Sequence, residues 1–99
     1  MSVYMLTTRK GGKAEAMIAA TRKLKVVAEK NGAESVTLSQ VVAGPDAGHW
    51  VIRILCANWA AFGKVAESAT ADKDARDAVA GLDAISEVVG RRVVAGVDL

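Results

Sequence analysis

Two side chains that could do chemistry stand close together in the sequence, His49 and Arg53. An imidazole exchanges a proton near neutral pH, so a histidine that lines a cleft can act as a general base. A single histidine with no cysteine or carboxylate at ligand spacing is a poor metal site, and no metal is predicted. A partly exposed histidine beside a turn is the alternative, and it carries no function.

Arg53 has two interpretations, because a guanidinium on a central strand must find a partner or water. It could hold the carboxylate of a ligand through two parallel hydrogen bonds. It could instead form an ion pair across a dimer, with Glu34, Glu87 or Asp98 as candidate partners. Three polar side chains could add hydrogen bonds to a ligand, namely Tyr4, Thr8 and Gln40.

Motifs for other chemistries are absent or incomplete. The sequence has no paired carboxylates and no nucleophile elbow. Gly11-Gly12 precedes a predicted helix but lacks the remainder of a phosphate-binding motif. We therefore predict no catalytic residue and no cofactor.

Residues 49–56 form the segment that must position His49 and Arg53. The segment is short and rich in β-branched and aromatic residues, which predicts a buried strand. Alternate side chains point to opposite faces of a strand. One face is wholly apolar and should meet helices (Trp50, Ile52, Ile54, Cys56), so that Cys56 is expected to be an inert core thiol. Arg53 lies on the other face, with His49, Val51 and Leu55.

The flanking elements repeat one pattern twice. Apolar periodicity and turn residues predict strands over 3–9, 34–43, 49–56 and 85–97, and helices over 13–31 and from Asn58 onward. Asn58 is a plausible cap for the second helix, whose inner face is predicted to carry Trp59, Phe62, Ala66 and Ala69. That helix should break near residues 68–72, where Thr70 or Asp72 can cap a fresh turn. Gly90 and Gly96 predict bulges or a bend in the last strand.

This order predicts an α+β fold, the ferredoxin-like βαββαβ plait. It has a four-stranded antiparallel sheet with both helices on one face and the first and third strands central. Arg91 and Arg92 must point to opposite faces, so one of them can join Arg53. The sheet face without helices is expected to be too apolar for water. A second copy of the chain should cover it, which makes a homodimer the predicted assembly.

Composition limits the classes of function. Ninety-nine residues, 52% of them hydrophobic, fit one folded domain. Residues 1–33 carry seven Lys or Arg against two Glu, but four of these cations (Arg22, Lys23, Lys25, Lys30) occupy polar positions of one predicted helix without aromatic neighbours, so nucleic-acid binding is not predicted. No apolar run approaches a membrane span, and no membrane partner is predicted. With one cysteine and no signal-peptide pattern, a cytoplasmic location is expected.

The element order and two local motifs resemble the dimeric α/β-barrel superfamily. The motifs are Asn58-Trp59-Ala60-Ala61-Phe62-Gly63 and Ala69-Thr70-Ala71-Asp72, and they resemble the second helix of NIPSNAP-like members. The superfamily also contains antibiotic-biosynthesis-type monooxygenases, and the resemblance implies a homodimer whose sheets pack face to face. These motifs serve packing and imply no chemistry.

The monooxygenase activity that the resemblance offers would require an asparagine on the first strand, together with a tryptophan and a histidine around the cleft. This first strand has no asparagine, Asn58 is explained as a helix cap, and Trp59 lies at core spacing. His49 begins a strand rather than lying on the second helix. These departures weigh against the activity.

Two hypotheses of function follow. In the first, a homodimer binds or transforms a small apolar acid in a cleft between sheet and helices. In the second, the chain is a non-catalytic structural or interaction dimer. A cofactor-free monooxygenase is a weaker third interpretation, and whether the protein is an enzyme stays open.

Overall fold

The computed structural model describes residues 1–99 and contains four strands and three helices. In chain order these are β1 (Val3–Lys10), α1 (Ala14–Lys30), β2 (Ser35–Gln40), β3 (Trp50–Cys56), α2 (Trp59–Ala71), α3 (Lys73–Asp83) and β4 (Glu87–Ala95). The strands form one antiparallel sheet in the order β2-β3-β1-β4. The α+β plait with β1 and β3 in its centre is therefore confirmed.

The strand register decides which side chains share a face. Trp50, Ile52, Ile54 and Cys56 are all buried, which confirms the predicted inner face of β3. Their partners on β1 lie on the same side, because residues opposite each other in an antiparallel pair share a face. This helix-covered face carries Val3, Met5, Thr7 and Arg9 of β1. The opposite side, here named the open face, carries Tyr4, Leu6 and Thr8 of β1 and Val51, Arg53 and Leu55 of β3.

The core between sheet and helices is built from small and medium side chains. Its most completely buried members are Met17, Leu82, Val3 and Cys56. Helix α1 buries Met17, Thr21 and Ala28 at spacings of four and seven, the repeat of one helix face. Helix α3 adds Ala75, Ala78 and Leu82 in the same manner.

One side chain caps the N-terminus of each of the two later helices. The Asn58 side chain accepts a hydrogen bond from the Ala61 amide at 2.9 Å, as an N-cap does. Asp72 ends α2 and begins α3, and its carboxylate accepts from the Asp74 amide at 2.8 Å. The break predicted at residues 68–72 is therefore confirmed, with Asp72 as its cap.

Asp72 also joins this break to the end of α1. Asn31 Nδ2 donates to the Asp72 carboxylate at 3.0 Å, and Lys30 Nζ lies 3.3 Å from it. The hydrogen bond from Asn31, helped by backbone amides and Lys30, lowers the pKa of Asp72 to about 2. One carboxylate thus connects three helices.

The predicted inner face of α2 is wrong at Trp59. Trp59 is 55% exposed and meets Phe62 edge to face at 5.9 Å, while the buried residues of the helix are Val65 and Ser68. At about 100° per residue, Trp59 lies about 120° around the helix from Val65. Its first-turn position therefore turns it away from the sheet. Ala66 and Ala69 are also exposed.

Three strands are shorter than predicted: β2 and β3 lose their facing ends to the hairpin connection, and β4 spans only Glu87–Ala95. Residues 41–49 form the hairpin connection, in which Gly44 and Gly48 have positive φ and the Gly48 amide donates to Val41 O at 2.7 Å. In β4 the pairing shifts by one residue between Thr8 and Arg9, next to Gly90. This irregularity confirms the bulge predicted at Gly90.

Gly12 allows a close approach that a side chain would prevent. It has φ of +84°, and a Cβ at this position would lie 2.8 Å from Met17 Sδ and 3.1 Å from Ile85 O. Trp50 Nε1 donates to the Gly12 carbonyl at 3.4 Å. The glycine pair is thus part of the packing where β1 turns into α1.

None of the helices is long and apolar enough to cross a membrane.

Candidate functional site

Arg53 and Tyr4 lie together on the open face. The Arg53 guanidinium carbon stands 5.5 Å from the centre of the Tyr4 ring, within cation–π distance. Arg53 is exposed and forms no ion pair within the chain. The predicted ion pair joins two copies of the chain and stays a prediction.

His49 and Thr8 line a shallow depression at one end of the same face. The depression also contains Asp46 and Arg92, and the His49 Nδ1 atom is buried there without a hydrogen-bond partner. Arg92 lies opposite Leu6, on the side of the sheet that holds Arg53. Arg92 is thus the member of the arginine pair that joins Arg53, and Arg91 belongs to the helix-covered face.

Gln40 does not belong with these residues. It pairs with Trp50 in the register, which places it on the helix-covered side of the edge strand β2. Its Nε2 donates to the Gly48 carbonyl at 3.2 Å. The predicted site residues therefore lie on two faces of the sheet. Gln40 is on the helix-covered face, whereas Tyr4, Thr8 and Arg53 are on the open face.

The open face is less apolar than expected. Strand β2 contributes Ser35, Thr37 and Ser39 to it, and these pair with Leu55, Arg53 and Val51. Apolar side chains remain exposed on β4, where Val89 is 46% exposed. The open face therefore mixes apolar, hydroxyl and cationic side chains.

A second concave site, here named the inner cleft, lies between the sheet and the three helices. Its volume is about 330 Å³, within the range of small-molecule sites. Thirteen of its seventeen lining residues are hydrophobic, including Met5, Leu24, Ile52, Phe62, Val79 and Leu82. Ala66 and Ala69 of α2 line it too, and both are also exposed to solvent. The cleft lies between sheet and helices, where the sequence hypothesis put a ligand, but none of the residues predicted to bind that ligand lines it.

Arg9 is the buried cation of the inner cleft, and it was not among the predicted site residues. Its side chain is only 3% exposed, and Nη1 donates to Asp83 Oδ1 at 2.9 Å and to Ser86 Oγ at 3.3 Å. Its Nε is buried without a hydrogen-bond partner. Its place in the alternation Val3, Met5, Thr7, Arg9 was the available signal, since these residues share one face.

The charges around the inner cleft do not balance. Arg9 and Arg91 both line the cleft, whereas Asp83 is the one carboxylate bonded to either, and its side chain is 58% exposed. An exposed carboxylate offsets a buried cation only in part, because water screens it. The cleft therefore has a cationic site within apolar walls.

The fold contains neither an exposed cysteine nor a group of side chains that could hold a metal ion. Burial, with a smaller contribution from Glu34, raises the pKa of the Cys56 thiol. No three of the histidine, cysteine, aspartate and glutamate side chains lie close enough together to hold a metal ion.

Comparison with known proteins finds matches to the fold of the chain but none to its sequence. No protein-family model matches the sequence, and no curated protein matches it either. Solved structures do match over the whole chain. A mutant of SnoaB, a cofactor-independent oxygenase from Streptomyces nogalater, is 13% identical with a TM-score of 0.74, covering 99% of this chain and 95% of that one.

Two further structures match at similar identity. Rv0793 from Mycobacterium tuberculosis is 15% identical with a TM-score of 0.65, covering 100% of this chain and 98% of that one. HapK from Hahella chejuensis is 16% identical with a TM-score of 0.67, covering 98% and 93%. Identities this low concern the backbone alone. The chain has the ferredoxin-like fold found in antibiotic-biosynthesis-monooxygenase-like proteins.

Proposed function

We propose that the chain binds a small, mostly apolar compound bearing an acid group in the inner cleft. The observation that carries the proposal is Arg9, a buried guanidinium with an unpartnered Nε beside a cavity of about 330 Å³. Leaving a buried polar group without a partner costs about 1–3 kcal/mol, and more when the group is charged. An anionic ligand would relieve that cost, and the apolar walls would favour a hydrophobic body.

This proposal moves the anion-holding role from Arg53 to Arg9. Arg53 is exposed, and water can solvate it. Arg9 lies where solvation is restricted, so a ligand gains more by pairing with it than with Arg53. The polar residues predicted around Arg53 are proposed instead to belong to a subunit interface.

The cleft proposal can be tested by closing the cleft from its solvent-exposed side. 2-Naphthoate should raise the melting temperature of the chain, because a ligand that binds only the folded state stabilises that state. For a domain of this size, each kcal/mol of stabilisation raises the melting temperature by about 4–8 °C. Ala69→Trp fills the cleft from an exposed position and should abolish the shift. Ala60→Trp is the matched control, because Ala60 is exposed on the same helix and does not line the cleft. A shift that survives in Ala69→Trp refutes the assignment.

We propose further that two copies associate through the open face. The supporting observations are the partly buried Leu6, Val51 and Leu55 in its centre and the apolar β4 side chains at its edge. Leu6 pairs with Arg53 on one side and with Arg92 on the other, so the centre combines apolar side chains with arginine, a residue type that is enriched in interfaces. The resemblance to dimeric α/β barrels points to the same surface.

A charge in the centre of the open face should separate the copies. Val51→Lys is expected to sediment as a monomer at micromolar concentration, because it adds a cation beside Arg53 on a face that already lacks a neutralising carboxylate. Val26→Lys is the control, since Val26 is 69% exposed on α1. A wild-type chain that sediments at its own mass would exclude this assembly. A dimer that persists in Val51→Lys would place the interface elsewhere.

A further inference from the structure

One edge of the Arg9 guanidinium is already used by the protein and the other is not. Nη1 donates to Asp83 and Ser86, whereas Nε and Nη2 make no hydrogen bond within the chain. The Nε and Nη2 hydrogens of an arginine lie side by side, which is the arrangement that binds two oxygens of one acid group. Both donors of this second edge are therefore without a partner in the chain.

The protein fixes the orientation of that edge. Asp83 and Ser86 hold Nη1 from the end of α3 and the loop after it, and the Ser86 hydroxyl itself donates to the Leu82 carbonyl at 2.7 Å. The arginine stem is buried on β1. A guanidinium held at one end loses little rotamer freedom when a ligand binds the other.

The charge at this end of the inner cleft matches a monoanion. Arg9 is the one buried cation there, because Arg91 and Asp83 are exposed and water screens their charges. A carboxylate carries one negative charge, while a phosphate monoester carries about −1.5 to −2 at neutral pH. The apolar lining offers no further cation for a second charge.

From these observations we infer that the Nε–Nη2 edge of Arg9 is the acid-recognition site of the inner cleft and selects a monocarboxylate. Asp83 positions Arg9 and at the same time limits the affinity, since its own charge opposes that of the ligand. The inference rests on the proposed function of the cleft. It adds which residue binds the acid group of the ligand and which class of acid is bound.

The test compares three probes that share one apolar body, 2-naphthoate, 2-naphthyl phosphate and 2-naphthalenemethanol. Calorimetry on the wild-type chain should show naphthoate binding about ten- to hundredfold more tightly than the alcohol, the range of a hydrogen-bonded charge. The phosphate should bind more weakly than the carboxylate. Tighter binding of the phosphate would overturn the monocarboxylate assignment.

Arg9→Lys keeps the charge and removes the two-hydrogen edge. It should lower the preference for naphthoate over the alcohol by about tenfold and leave affinity for the alcohol unchanged. Arg53→Lys on the open face is the matched control and should keep the full preference. A preference that persists in Arg9→Lys, or disappears in Arg53→Lys, overturns the inference while the cleft itself can still bind the alcohol.

A second variant guards against misfolding of Arg9→Lys. Asp83→Asn changes a 58% exposed side chain and keeps Arg9 in place, and it should tighten naphthoate binding by about two- to fivefold. Unchanged or weaker binding in Asp83→Asn contradicts the inference. If none of the probes binds the wild-type chain, the proposed function fails together with it.

Discussion

At the scale of single residues, the burial of Cys56 controls its reactivity. The residue has no exposed surface, and its pKa is raised mainly by burial and secondarily by Glu34, so the thiolate that reacts with electrophiles is scarce. We predict that a thiol reagent at pH 8 labels the native chain only on the timescale of unfolding. The check is mass spectrometry with and without denaturant, and labelling within seconds in buffer alone would contradict the inner position of Cys56.

Gly12 is a second residue whose environment restricts what can replace it. Gly12→Ala should lower the free energy of unfolding by about 1–3 kcal/mol, because alanine at positive φ is strained and its Cβ would collide with Met17. Gly63→Ala is the control, since no atom of the protein would crowd a Cβ there and the position is helical. That change should stabilise by about 0.5–1 kcal/mol. Urea unfolding of both variants gives the two values.

At the scale of elements, the Asp72 junction makes the packing of three helices depend on one ionised group. The folded-state pKa of about 2 lies below the ordinary value of 3.8. The stabilisation is therefore fully present above pH 3.8 and is lost as the pH falls towards 2.

We predict that Asp72→Asn melts below the wild type at pH 6 and that the difference shrinks between pH 4 and pH 2. Asparagine can still cap α3, but its single acceptor oxygen cannot also accept from Asn31, so the variant removes the charge together with that hydrogen bond. Thermal melts over this pH range measure the difference. A gap between wild type and variant that stays constant down to pH 2 would show that the charge of Asp72 is not its source.

The elements themselves could be predicted from the sequence where one periodicity was unambiguous. The inner face of β3 was predicted correctly, since its two faces differ and only one is wholly apolar. Strand β1 gave no such contrast, because Tyr4 and Leu6 are about as apolar as Val3 and Met5. Without the register, the sequence did not show that Arg9 lies under the helices.

The candidate site was harder to predict because it depends on which strands are neighbours. The position of Gln40 is determined by its pairing with Trp50, and the ion pair of Arg9 joins residues 74 positions apart. Local periodicity contains neither fact. For the same reason the exposure of Trp59 was missed, since Trp59 continues the apolar spacing of Phe62, Ala66 and Ala69 but does not reach the inner cleft that they line.

At the scale of the whole molecule, the open face holds cations that the chain does not neutralise. Arg53 and Arg92 form no ion pair with any carboxylate of their own copy. In the proposed dimer the same surface meets itself, so cations of the two copies approach each other.

We therefore predict that added salt strengthens dimerisation. Raising sodium chloride from about 20 mM to 500 mM shortens the screening length several-fold and should lower the dimer dissociation constant. Sedimentation equilibrium at the two concentrations measures the change. Weaker association at high salt would instead indicate that acids of one copy pair with Arg53 of the other.

The two single-residue caps described above also isolate α2 from the rest of the chain. The helix runs between Asn58 and Asp72, buries only Val65 and Ser68, and forms one wall of the inner cleft. Few buried contacts mean a low free energy of local opening. Backbone amides of α2 should therefore exchange with deuterium well before those of α1, and a molecule held in the cleft should slow that exchange. This wall of the inner cleft is then also the least stable part of the sheet's covering.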